Sequence, residues 1–215
     1  MVRRSDEHIL VITDGSLASL LACLIAESEV GGADGAAGGS TRLAVALWLA
    51  PPEAGLFHHS VQDSVARQFV EHQIEALSLG DLVVPCLDEI GPLAATRALL
   101  RTAEDAMARG CQRVIWPCAW GQDLEAVHIA SERALGIAQL ASLDGGVGVE
   151  AEGPTIETPF VDCTAEMLLQ LADDLDAPLG SCWLNPREVA ALEHRRRGTG
   201  LAGETAAFAG ERQAR

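Results

Sequence analysis

Residues 8–28, HILVITDGSLASLLACLIAES, constrain this chain more than any other stretch. The apolar run Ile9-Leu10-Val11-Ile12 stops at Thr13-Asp14-Gly15-Ser16, and a helix-forming segment, Leu17 to Ile25, follows at once. A short continuous apolar run bounded by turn residues is a buried strand, and the longer apolar segment after the turn is a helix. Strand, tight small-residue turn and helix together open a parallel α/β sheet. The first helical turn has amide groups without intrahelical partners, so the loop Thr13, Asp14, Gly15, Ser16 and Ser19 is a candidate anion or nucleotide cradle.

The pattern recurs along the chain. Residues 42–50, RLAVALWLA, form a second buried strand ended by Pro51-Pro52, and the small-residue stretch 30–40 is a mobile surface linker before it. Helical spacing over 60–79 points Val61, Val65, Phe69, Ile74 and Leu77 inward, with Gly80 as the stop. Asp81 to Leu87 is a third strand. Pro92 to Arg109 is a helix with Leu93, Leu99, Leu100, Ala103 and Met107 inward, stopped by Gly110. Arg113 to Trp116 is a fourth strand, 122–142 a helix, 144–148 a turn and Thr155 to Val161 a fifth strand. A helix over Thr164 to Asp174 is capped by Thr164 or Asp162. Beyond Gly198 the small, polar tail is expected to be partly disordered.

Strands alternating with helices predict a three-layer, Rossmann-like α/β fold: a mainly parallel sheet of about five strands with helices on both faces. Ligands in such sheets lie beyond the carboxyl ends of the strands, near the switch in strand order. Thr13–Ser16, Pro51 onward, Asp88–Gly91 and Pro117–Asp123 gather there.

A chain of 215 residues, 48% hydrophobic, suffices for one α/β core. Apolar runs fall short of the ~18–20 residues that span a bilayer, and the N-terminus leads into only a short one. A cytoplasmic protein without a signal peptide is expected. The net charge of −16 disfavours nonspecific binding to nucleic acid or anionic membrane. All 15 basic residues are Arg, which excludes lysine chemistry on phosphate, as a Schiff base or as a general base. Cysteines stand at 23, 86, 111, 118, 163 and 182 with no CxxC spacing, so a reduced compartment without a disulfide framework is expected. The adjacent His58-His59 pair is expected to be solvated rather than metal-bound.

The loop after the fourth strand, Cys118-Ala119-Trp120-Gly121-Gln122-Asp123, is polar with one large aromatic. Trp120 can stack on a flat heterocycle. Asp123, Glu125 and His128 follow it as substrate-pocket candidates, and Cys118 is a nucleophile only if His128 serves as its base.

The segment TPFVDCTAEMLLQLADDLDAPLGSCW, residues 158–183, resembles the C-terminal part of the 7-cyano-7-deazaguanine synthase family. Pro159, Asp162, Thr164, Leu171, Pro178, Leu179, Ser181, Cys182 and Trp183 fall in the family's order. The resemblance extends over roughly residues 8–203 and places the loop Asp14–Ser19 on the family's SGGxDS loop. It implies a PP-loop ATP pyrophosphatase of adenine nucleotide alpha-hydrolase-like (HUP) fold, dimeric, using ATP with Mg²⁺ and a deazapurine ligand, and forming AMP as an ATP-dependent ligase.

The motifs depart from that pattern in concert. Asp14 replaces a phosphate-contacting serine, and the loop aspartate becomes Ala18. The arginine and asparagine of a Pro-x-Arg-Asn motif become Ala94 and Ala95. The lysine and glutamate of a Ser-Lys-Ala-Glu helix start become Ala165 and Met167. Of four zinc cysteines only Cys182 matches; the others align with Pro186, Val189 and Leu192, and zinc needs four N or S ligands. Residues 1–183 are thus expected to form the α/β domain, and 184–215 a helix and tail in place of the zinc region. No catalytic residue, metal ligand or zinc is expected. The expected activity is weak binding of a nucleotide or purine-like ligand by a catalytically degenerate protein. The alternatives are a noncatalytic scaffold, paired with its own copy or a partner protein, and an active AMP-forming synthase with relocated residues.

Overall fold

The computed structural model describes residues 8–31, 43–47, 63–77, 79, 82–83, 93–145 and 153–198. In chain order they form β1 (His8–Thr13), α1 (Leu17–Gly31), β2 (Leu43–Leu47), α2 (Asp63–Leu77), β3 (Leu82–Val83) and α3 (Ala94–Ala108). Then come β4 (Cys111–Ile115), α4 (Leu124–Gly145), β5 (Thr155–Glu157), α5 (Ala165–Asp174), a 3-10 turn (Leu179–Ser181) and α6 (Pro186–Gly198). Among the described residues the sheet has five strands in the order β3-β2-β1-β4-β5, with every neighbouring pair parallel. This is the three-layer, Rossmann-like arrangement that the alternation of strands and helices predicts.

β1 is the central strand, and its two faces feed separate cores. Ile9 and Val11 pack with α1, α5 and α6, together with Leu77 of α2. Leu10 and Ile12 pack on the opposite side with α3 and α4. The period of two along a strand produces this split, and burial on both faces explains the unbroken apolar run. The chain reverses its direction of growth between β1 and β4. That gap is the switch point of the sheet.

A charged tie joins β4 to the neighbouring strand and to α1. The Arg113 guanidinium donates through Nε and Nη2 to the two carboxylate oxygens of Glu157, both at 2.8 Å. Its Nη1 donates to Glu29 at 2.6 Å. The two-pronged geometry joins β4, β5 and α1.

Several boundaries and faces differ from expectation. The fifth strand ends at Glu157, because residues 159–162 turn at Pro159. α2 buries Ala66, Val70, Gln73 and Leu77, while Val65, Phe69 and Ile74 sit half-buried at its flank. Leu93 is 59% exposed, and α3 packs through Ala95, Ala98, Leu99, Thr102, Ala103 and Ala106. Small residues bring α3 close to the sheet, a face that a search for large apolar side chains overlooks. α4 runs through Asp144 and Gly145, two positions expected in a turn. Gly110 ends α3 with φ +72°, and Thr164, not Asp162, caps α5 by accepting from the Met167 amide at 3.4 Å. The expected features at 32–42, 51–62, Gly80, 84–92 (with Cys86 and Asp88–Gly91), 146–152 and beyond Gly198 lie outside the described residues.

Candidate functional site

The turn after β1 is closed by its own side chains. Thr13 Oγ1 accepts from the Gly15 amide at 3.2 Å and donates to Gln73 Oε1 at 3.1 Å. Asp14 Oδ1 accepts from the Ser16 amide at 2.9 Å and, in a short contact, from the Ser19 hydroxyl. Ser19 Oγ accepts from the Asp14 amide at 3.2 Å. Ser16 is the N-cap of α1: its Oγ accepts from the Ser19 amide at 3.3 Å and its carbonyl accepts from Leu20 at 3.0 Å. The two serine hydroxyls lie 2.9 Å apart, and with the Ser19 hydrogen committed to Asp14, Ser16 is the donor. Gln73 Nε2 donates to the Ser16 carbonyl at 3.2 Å, which ties the loop to α2.

Gly15 adopts φ +80°, and a Cβ there would lie 2.8 Å from Phe69 Cβ and 2.9 Å from the Ala66 carbonyl oxygen. Close approach of α2 requires this glycine whatever the loop binds. From the far end of the fold, Trp183 Nε1 donates to the Asp14 carbonyl at 2.8 Å and its amide donates to the Gly15 carbonyl at 3.0 Å.

A cavity of about 580 Å³ opens in front of the loop. Asp14, Ser16 and Ala18 line one side, and Pro117 with Ala119–Gln122 lines the side beyond β4. The start of α5, Cys163 to Glu166, and the inner side of α6 complete the wall. The cavity therefore sits at the carboxyl ends of β1 and β4, at the switch point.

Two buried carboxylates face it. Asp14 is 6% exposed and Glu188 is 3% exposed. Burial pushes the Asp14 carboxyl up, against the lowering effect of its bonds to Ser16 and Ser19. Glu188 is held in place by the capping of α6. Asn185 Oδ1 accepts from the Arg187 and Glu188 amides at 2.9 and 3.0 Å, and Glu188 Oε2 accepts from the Asn185 amide at 2.8 Å. This reciprocal pair, with Pro186 at the first helical position, is a capping box. Burial first, and the Asp14 charge in addition, push Glu188 up to about 7.

A raised carboxyl pKa stabilises the fold most below its ordinary value, and that contribution is lost as pH rises through the folded value. Relative to Glu188→Gln, the wild type is expected to lose on the order of 3 kcal/mol as pH rises from 4.5 to about 7. Urea unfolding of both proteins across that range measures it. A pH-independent difference between the two would show that Glu188 ionises as freely as in the unfolded chain.

The structure sorts the residues singled out in the sequence. Asp14, Ser16 and Trp120 line the cavity. Thr13, Gly15 and Ser19 do not line it; they build the loop behind its wall. Asp123 is exposed and spends its side chain on capping α4, accepting from the Ala126 amide at 3.1 Å. Glu125 and His128 are exposed on α4, away from the cavity lining. Cys118 is 2% exposed in the α3–α4 core, and burial pushes its thiol up to about 12. His128, the base that a Cys118 nucleophile would require, is exposed on α4, which accords with the expectation of no catalytic role for this cysteine.

Ala18 and Ala165 line the cavity where the family resemblance places an aspartate and a lysine. Ala94 and Ala95 are buried in α3 and pack instead. Cys182 is buried, whereas Pro186, Val189 and Leu192 belong to α6. Among the described residues no group of three or more His, Cys, Asp or Glu is placed to hold a metal. Their five cysteines are free, and no helix is long and apolar enough to cross a membrane. The polar cavity residues missed in the sequence include Glu166 of α5 and Asn185, Arg187, Glu188 and His194 of α6 and its cap. The spacing Asn185-Pro186-x-Glu188 was the available signal, since it marks a helix start.

No family model matches the chain, and no curated protein matches it in sequence. Among solved structures it is similar to a U34-tRNA thiolase from Methanococcus maripaludis carrying a four-iron, four-sulfur cluster. The two are 10% identical over 93% of this chain and 68% of that one, with a TM-score of 0.48. It is also similar to an NAD+ synthetase from Burkholderia pseudomallei, 16% identical over 87% of this chain and 65% of that one, TM-score 0.44. A conserved protein from Thermus thermophilus is 14% identical over 91% of this chain and 89% of that one, with a TM-score of 0.43.

Proposed function

We propose that the protein binds a purine-like heterocycle, as the free base or nucleoside, in the switch-point cavity and performs no nucleotidyl transfer on it. One observation supports this reading: Trp120, whose indole is of the kind that stacks on a flat heterocycle, lines the cavity together with Ala18 and Ala165, the positions where the family resemblance has a metal-associated carboxylate and a lysine. A volume of about 580 Å³ accommodates a ligand of that size. The resemblance to the 7-cyano-7-deazaguanine synthase family adds 7-deazapurines to the ligands worth testing.

Calorimetric titration with adenosine, guanine and a 7-deazaguanine tests the reading, alongside assays for AMP and pyrophosphate release from ATP. At least one heterocycle is expected to bind in the micromolar range, and Trp120→Ala to weaken it at least tenfold, the order of a lost stacking contact. Neither AMP nor pyrophosphate is expected. Failure of every heterocycle to bind would leave a noncatalytic scaffold or partner subunit. Release of AMP and pyrophosphate would establish an active synthase instead.

A further inference from the structure

We infer that Asp14 is the specificity-determining residue of this cavity: its carboxylate stands on the loop in place of a bound anion, so the site excludes phosphate and takes a phosphate-free ligand bearing N–H donors. The inference rests on the ligand site proposed above.

A phosphate cradle at the start of a helix works by offering unpartnered amides and the positive end of the helix to an incoming anion. Here the amides of Asp14, Gly15, Ser16 and Ser19 all donate within the loop, to Ser19 Oγ, Thr13 Oγ1, Asp14 Oδ1 and Ser16 Oγ respectively. The one anion among those acceptors is the Asp14 carboxylate, which also holds the Ser19 hydroxyl. It lies at the cavity wall and is more than nine-tenths buried. A phosphate reaching the loop would meet the Asp14 carboxyl seated on it and, at these four amides, donors already in use.

Glu166 and His194 also line the cavity, but among the described residues no group of three His, Cys, Asp or Glu side chains is placed to hold a metal ion by protein ligands alone. The basic side chains on the wall, Arg187 and His194, are both exposed. Asp14 and Glu188 instead make a lining rich in acceptors, suited to the ring N–H and amino groups of a nitrogen heterocycle.

Calorimetry with inorganic pyrophosphate, on the wild type, Asp14→Asn and Asp14→Ser, tests the inference. The wild type is expected to show no pyrophosphate binding up to millimolar concentration. Asp14→Asn keeps an acceptor at Oδ1 and is expected to remain closed. Asp14→Ser frees the Ser16 amide and is expected to gain pyrophosphate binding by at least tenfold, with thermal melts confirming that both variants fold. Binding by the wild type, binding by Asp14→Asn, or no gain in a folded Asp14→Ser would each overturn it. Should Asp14→Ser not fold, the wild type decides: adenosine at least tenfold tighter than AMP supports the inference, and AMP as tight or tighter overturns it. These outcomes are distinct from the failure of every heterocycle to bind, which sinks the ligand reading itself.

Discussion

Trp183→Ala is expected to destabilise the protein by roughly 3–5 kcal/mol, the range for removing a buried aromatic side chain. Trp183 is 8% exposed, and its ring covers the back of the loop while Nε1 donates to the Asp14 carbonyl. The two contributions are separable. Trp183→Phe keeps most of the ring and loses only the indole donor, so it is expected to cost about 1–2 kcal/mol, the penalty for an orphaned buried carbonyl. The amide of residue 183 still reaches the Gly15 carbonyl in both variants. Urea denaturation measures all three proteins. A cost below about 1 kcal/mol for Trp183→Ala would mean that the indole is not part of the cooperative core.

Gly15→Ala is expected to cost at least about 2 kcal/mol, from a side chain at positive φ and from overpacking against α2. Both neighbours of the added methyl lie well inside contact distance: Phe69 Cβ at 2.8 Å and the Ala66 carbonyl oxygen at 2.9 Å. The second is backbone and cannot swing aside. Adding Phe69→Ala is therefore not expected to rescue the variant, because neither the carbonyl clash nor the positive φ is relieved. Unchanged thermal stability in Gly15→Ala would refute the close approach of α2. The same experiment separates two explanations for the glycine. A loss of stability without any ligand present assigns it to packing.

The fold was readable because its signals are local. An unbroken Ile9–Ile12 run, a stop at Gly110 and a hydroxyl cap at Thr164 each act within a few residues of themselves. Helix faces were less readable where small residues form them. Ala95, Ala98 and Ala106 carry little hydrophobic signal, whereas Leu93 carries much and faces solvent. Gln73 was missed for a related reason: a single polar residue on an inner face is identifiable only once its partners, Thr13 and the Ser16 carbonyl, are known.

The site divides in the same way. Asp14, Ser16 and Trp120 could be named because they sit beside a strand end. Asp123, Glu125 and His128 were grouped with Trp120 by proximity in sequence, but α4 carries them outward from its first turn. Glu188 could not be placed at the cavity beforehand, since its approach to Asp14 depends on how α6 packs against α5 and the loop. Its charge state depends on the same packing.

The hydrogen bond from Trp183 to Asp14 spans 169 residues of sequence. A chain synthesised from its N-terminus makes β1 and the loop first and can complete them only after the 3-10 turn has emerged. Contacts of such separation carry the largest loop-closure cost and slow folding. The local bonds of the turn can form early, but the Asp14 and Gly15 carbonyls wait for Trp183, so the turn is among the last parts of the described fold to reach its final form, and until then these carbonyls and the apolar strand behind them stay exposed to whatever a growing chain encounters.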